Sequence, residues 1–148
     1  MTTSGPLSAN STFRTESPEE TAELAAKLID KLKGRTVFLN GGLGAGKTTF
    51  VKAFAAKTGC GSDSSSPTFT LLQRYGGEEH TVLHYDLYRL EHPEELETIG
   101  FYESIEEEGT RFIEWAEKFP LEDELEDYIR ISIKNPGGNV REFVIEED

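Results

Sequence analysis

The chain has almost no sulfur chemistry: one cysteine, Cys60, and one methionine in 148 residues. A lone cysteine excludes an internal disulfide and fits a reducing compartment. No apolar run approaches the ~20 residues that a membrane helix needs. The opening MTTSGPLSANST has no apolar stretch of the kind a secretory leader carries. Residues 1–12 are expected to be a disordered tail, and 13–148 one domain. Basic residues are scarce as well. Lys and Arg number 15 against 28 Asp and Glu, a net charge of −13. Such a chain repels a bare phosphate backbone, so capture of nucleic acid by bulk charge is disfavoured. A local basic patch or a basic partner remains open. His80, His84 and His92 lack metal-ligand spacing and read as structural or exposed. A soluble, cytoplasmic protein without membrane contact is the expectation.

Against these absences stands a local excess of glycine, GGLGAGKTTF at 41–50. Thr36–Asn40 before it is a short apolar run, the mark of a buried parallel strand. Helical spacing resumes from Lys47 to about Lys57. Upstream, Ser17-Pro18-Glu19-Glu20 reads as a capping box opening a helix to about Leu32. Further strands are expected at Phe69–Tyr75, Thr81–Tyr85 and Arg111–Ile113. The segment from Pro93 to Glu108 reads as helical pieces broken near Gly100. Tyr128–Lys134 and Arg141–Glu146 flank Asn135-Pro136-Gly137-Gly138-Asn139 and read as a hairpin. The alternation predicts an α/β fold: a three-layer sandwich like a P-loop NTPase, its central sheet mostly parallel, with an antiparallel C-terminal hairpin.

Gly41 to Thr48 matches G-x-x-x-x-G-K-[ST]. Glycines let backbone N–H groups turn inward on an anion, and the following helix adds its positive end. Gly41 to Thr48 is therefore the expected phosphate cradle. Lys47 can reach the phosphates and the Thr48 hydroxyl can ligate Mg²⁺. Such a site also needs an acid at the end of a neighbouring strand. Asp86 after TVLHY and Glu114 after RFI both qualify. Thr68, in Ser66-Pro67-Thr68, can sense the γ-phosphate or simply begin a strand. Trp115 can face a nucleotide or a partner, although a lone tryptophan more often lies in a core.

An N-K-x-D motif for reading guanine is absent, which favours ATP. The chain is short for a kinase with a second substrate site, and its Gly-Ser loop lacks arginine. Two readings remain. One is a slow ATPase stimulated by a partner. The other is a nucleotide-gated binding module, in which ATP binding alone docks the partner.

Several motifs in register resemble the bacterial TsaE (YjeE) family. They are Leu43–Phe50, Ser66-Pro67-Thr68-Phe69-Thr70, His84-Tyr85-Asp86-Leu87-Tyr88-Arg89, Glu94-Glu95-Leu96 and Glu114-Trp115. The resemblance implies the ATPase component of tRNA threonylcarbamoyladenosine biosynthesis. That component works with TsaB and TsaD and uses ATP and Mg²⁺ to permit repeated turnover; the net charge of −13 disfavours direct capture of tRNA, which TsaD could hold instead. Carried onto this chain, the resemblance puts Leu43, Gly44, Ala45, Gly46, Lys47 and Thr48 on the phosphates, and makes Thr48 and Glu114 the Mg²⁺ ligands and Asp86 the acid required for hydrolysis. Thr68 falls in the switch-like loop and Trp115 beside the acid. The segment near Ser17 and the turn before Arg141 match places that close over the nucleoside. The family usually carries Asp where this chain has Gly42.

Overall fold

The computed structural model describes residues 11–42, 45–60, 72–119, 121–125 and 127–147. Leu43, Gly44 and Thr68, three of the expected site residues, lie outside them, as does most of the expected N-terminal tail.

Seven strands form one sheet in the order β1-β7-β6-β2-β5-β4-β3. They are β1 Ser11–Thr15, β2 Thr36–Asn40, β3 Leu72–Gly76, β4 Thr81–Asp86, β5 Thr110–Glu114, β6 Tyr128–Gly137 and β7 Val140–Glu147. The four central strands are parallel to one another: β6 with β2, β2 with β5, β5 with β4. Three further pairings are antiparallel, β1 with β7, β7 with β6 and β3 with β4. The sheet is thus evenly mixed rather than mostly parallel. Hairpin connections extend it at both margins, and crossovers build only its centre.

Alternation along the central strands divides the core in two. Val37 and Leu39 of β2 face one side with Val82, Phe112 and Ile131. Phe38 faces the other with Leu83, Tyr85 and Ile113. The first side is covered by α1 (Pro18–Lys27), α2 (Ile29–Leu32) and α3 (Lys47–Lys57). The second is covered by α4 (Glu94–Thr98), α5 (Phe101–Ser104), a 3-10 turn at Ala116–Lys118 and α6 (Leu121–Glu124). The expected three layers are present. No helix of the described residues is long and apolar enough to cross a membrane.

The expected first helix is divided at Leu28. Its backbone lies at φ −93°, ψ 0°, and its N–H is shared between the Leu24 and Ala25 carbonyls at 3.1 and 3.2 Å. The turn tightens there and α2 restarts. Ser17 caps α1 as expected, its Oγ accepting from Glu20 N at 3.1 Å. The Glu20 carboxylate closes the box on the Glu16 N–H at 2.8 Å, one residue earlier than the usual arrangement. Ser11 and Thr12, assigned to the tail from sequence, belong to β1. This short, half-polar segment becomes a strand by pairing with β7. The 3-10 turn and α6 were not anticipated. They are too short for a helical period to show.

Phe54 is fully buried where α3 meets the sheet, its ring centroid 5.1 Å from that of Phe112 in edge-to-face geometry. Truncating such a ring leaves a cavity and costs about 3–5 kcal/mol. Phe54→Ala is expected to lower unfolding free energy by that amount in urea titration. A loss under about 1 kcal/mol would contradict the packing described.

Candidate functional site at the head of the third helix

β2 delivers the chain from its carboxyl end into the glycine-rich loop, and α3 opens at Lys47. β4 and β5 run parallel beside it and end at Asp86 and Glu114, which are register partners. Glu114 is also in register with Leu39 of β2. Parallel pairing therefore gathers the loop, the helix N-terminus and both acids at one end of the sheet, where ligands of open α/β sheets bind. Lys47, Thr48, Asp86, Glu114 and Trp115 line one cleft together with Ala45, Gly46, Tyr88 and Arg141. Of the expected loop residues from Leu43 to Thr48 and the strand-end acids, every one within the described residues is in that cleft, while Ser17 lies in another.

Two glycines of the loop are dictated by their neighbours. A Cβ on Gly41 would lie 2.8 Å from the Ile133 carbonyl oxygen of β6. Gly46 has φ +105°, and a Cβ there would lie 3.1 Å from Arg141 Nε. The first lets the loop pass against the sheet. The second lets it turn into α3 beneath an arginine from another strand.

Lys47 and Glu114 are both buried, their side chains 8% and 7% exposed. Lys47 Nζ donates to the Gly41 carbonyl at 2.7 Å and lies 3.2 Å from Glu114 Oε1. The other carboxylate oxygen, Oε2, is 2.5 Å from His84 Nε2. Burial pushes the Glu114 carboxyl up. The His84 hydrogen bond and charge, with Lys47, outweigh it and hold the group below its ordinary range. Asp86 is exposed, and its Oδ1 accepts from Tyr88 N at 3.1 Å. Thr48 is exposed on the first turn of α3.

Trp115 turns the chain sharply after Glu114 at φ 65°, ψ 32°, a left-handed conformation that costs a non-glycine residue about 1–3 kcal/mol. Its half-buried ring lies 5.0 Å from Lys47 Nζ and 4.9 Å from the Tyr88 ring. Tyr88 is itself 53% exposed at the mouth of the cleft. Trp115 therefore lines the cleft and also packs against the second core cluster.

Sequence reasoning missed two members. His84 was set aside for want of metal-ligand spacing, yet it is buried and holds Glu114. Strand alternation carried the signal, because His84 and Asp86 lie two apart on β4 and face the same side of the sheet. Arg141 arrives from the distant hairpin. Beside the first cleft a second runs between α1 and that hairpin, lined by Ser17, Pro18, Thr21, Gly46, Thr49, Asn139, Arg141 and Phe143.

The Glu114 environment fixes the sign of a pH effect. A carboxyl held low in the folded chain stabilises it above the unfolded-state pKa, and that contribution is lost as pH falls through the folded pKa. Wild-type unfolding free energy should therefore fall more steeply than that of Glu114→Gln as pH drops below about 4.5. Urea titrations from pH 7 to 3 check this, and parallel pH profiles would count against a depressed Glu114.

Comparison with known proteins gives the family. The family model described as "Threonylcarbamoyl adenosine biosynthesis protein TsaE" matches residues 15–143. A tRNA threonylcarbamoyladenosine biosynthesis protein TsaE from Bacillus subtilis is 38% identical over 133 residues, which cover 88% of this chain and 82% of the relative. Its counterpart in Rickettsia conorii is 48% identical over 104 residues, 68% of this chain. The matched region spans only 58% of that relative's length. The crystal structure of Bacillus subtilis YdiB superposes with a TM-score of 0.74 at 30% identity, covering 97% of this chain and 88% of that one. With the match running from the end of β1 into β7, this chain belongs to the TsaE family.

Proposed function

We propose that this chain is a Mg²⁺-dependent ATPase acting in tRNA threonylcarbamoyladenosine biosynthesis, with a TsaB–TsaD complex as its partner in the cytoplasm. The observation that carries the reading is the position of Lys47. It heads an eleven-residue helix and lies within 3.2 Å of a strand-end carboxylate that has a second acid in register beside it. The names of the relatives supply the pathway.

The donor set suits the nucleotide and its metal. Thr48, Asp86 and Glu114 offer hard oxygen ligands, the chemistry Mg²⁺ selects. Among the described residues no cluster of three or more His, Cys, Asp or Glu forms a metal cage. Mg²⁺ characteristically takes one or two protein ligands and completes its shell with phosphates and water. Thr48 and Glu114 would hold the ion, which would neutralise charge developing on the transferred phosphoryl group. Lys47 exchanges part of its contact with Glu114 and Gly41 O for phosphate oxygens. His84 keeps the carboxylate oriented while Lys47 is so engaged. Asp86, exposed at the neighbouring strand end, positions the attacking water. The cleft between Ser17 and Asn139 receives the nucleoside. A slow intrinsic rate, raised by the partner, follows the pattern of P-loop enzymes completed in trans.

A side chain at Gly42 would meet nothing within 4 Å. Packing therefore does not exclude the aspartate usual in the family. Its loss removes one negative charge beside the cradle without disturbing the backbone.

Phosphate release from Mg-ATP tests the proposal, first with the chain alone and then with TsaB and TsaD. Marked stimulation is expected, with Glu114→Gln and Asp86→Asn each lowering turnover by about 100-fold or more while ATP still binds. Normal hydrolysis by both variants would refute the assignment. Tight ATP binding without stimulated turnover, with a non-hydrolysable analogue supporting the partners equally, would point to nucleotide-gated docking instead.

A further inference from the structure

We propose that Arg141 is a phosphate-contacting residue supplied in cis. The β6–β7 hairpin would carry its guanidinium over the start of α3 to bind the phosphate chain of the nucleotide. This rests on the nucleotide reading above and adds a residue and a specificity to it.

Four observations converge. Arg141 Nη1 donates to the carbonyls of Gly138 and Val140 at 2.8 and 2.9 Å, which fixes the head group at the hairpin turn. Nε and Nη2 have no hydrogen-bond or ion-pair partner among the described residues. The side chain also lies along Gly46. A Cβ on that glycine would be 3.1 Å from Nε, 3.5 Å from Cδ and 3.9 Å from Cγ. Any larger residue at the helix cap would push the arginine away. Finally, Arg141 lines both the cleft of Lys47 and Glu114 and the cleft of Ser17 and Asn139. It therefore stands at the seam where a nucleoside would join its phosphates.

Charge gives the residue its task. The chain is strongly acidic, and Asp86 and Glu114 border the same cleft. Lys47 is already partnered by Glu114. A polyphosphate entering there needs a second fixed cation. A planar guanidinium, half immobilised, matches phosphate oxygens better than a flexible ammonium. The antiparallel hairpin then has a function beyond closing the sheet, because it brings this cation to a parallel-strand site.

Calorimetric titration of the full chain with Mg-ATP, Mg-ADP, inorganic pyrophosphate and adenosine tests this in wild type, Arg141→Gln and Arg141→Lys. Arg141→Gln should weaken ATP, ADP and pyrophosphate by about 10- to 100-fold, as loss of a charge-assisted contact does. Adenosine affinity should not change, and Arg141→Lys should recover part of the loss. Equal weakening of adenosine and ADP would assign Arg141 to holding the hairpin and overturn the proposal. So would wild-type affinity of Arg141→Gln for every ligand, with the nucleotide reading left standing. A wild-type chain that binds neither ATP nor ADP would overturn both.

Discussion

A buried ammonium and a buried carboxylate, Lys47 and Glu114, meet 3.2 Å apart at the centre of the cleft. Removing two charges from water is expensive, and the pair persists only because every contact around it is made. Gly41 O takes one further Lys47 donor and His84 takes the second Glu114 oxygen. Deleting one partner would leave an uncompensated charge, at a typical cost of about 3–5 kcal/mol. Fold and site are thus coupled through this contact. It holds the lysine in place at the head of α3.

The sheet serves that contact. Glu114 reaches Lys47 because β5 lies parallel to β2 in a register that sets Leu39 beside Glu114. Asp86 arrives by the same rule from β4. Apolar residues bury these strands on both faces. The antiparallel margins contribute differently. β7 brings Arg141 over Gly46, and β1, paired to β7, leads into Ser17 at the α1 cap. One cleft is therefore built between a helix start and a hairpin, and the other at the parallel strand ends.

Much of this was legible before the fold was known. TVFLN, TVLHY and RFI are apolar runs ending in a glycine loop or an acid, and a parallel sheet has one place to put such ends. The two-sided core followed from the same runs. What escaped depended on distant partners. β1 has no apolar period of its own and exists through β7. The balance of parallel and antiparallel pairing turns on two hairpins whose attachment is not local information. His84 is separated by 30 residues from the carboxylate it holds, and Arg141 by nearly a hundred from the glycine it covers.

Trp115 is the one tryptophan of the chain, and its ring lies 5.0 Å from Lys47 Nζ. Its emission therefore reports on the contact from which the site is built. Titration of the full chain with Mg-ATP should change that emission saturably as Lys47 turns from Glu114 toward phosphate, and Lys47→Ala should abolish the response. Unchanged Trp115 emission at ATP concentrations that calorimetry shows to saturate the protein would place the nucleotide elsewhere and contradict the phosphate cradle at the head of α3.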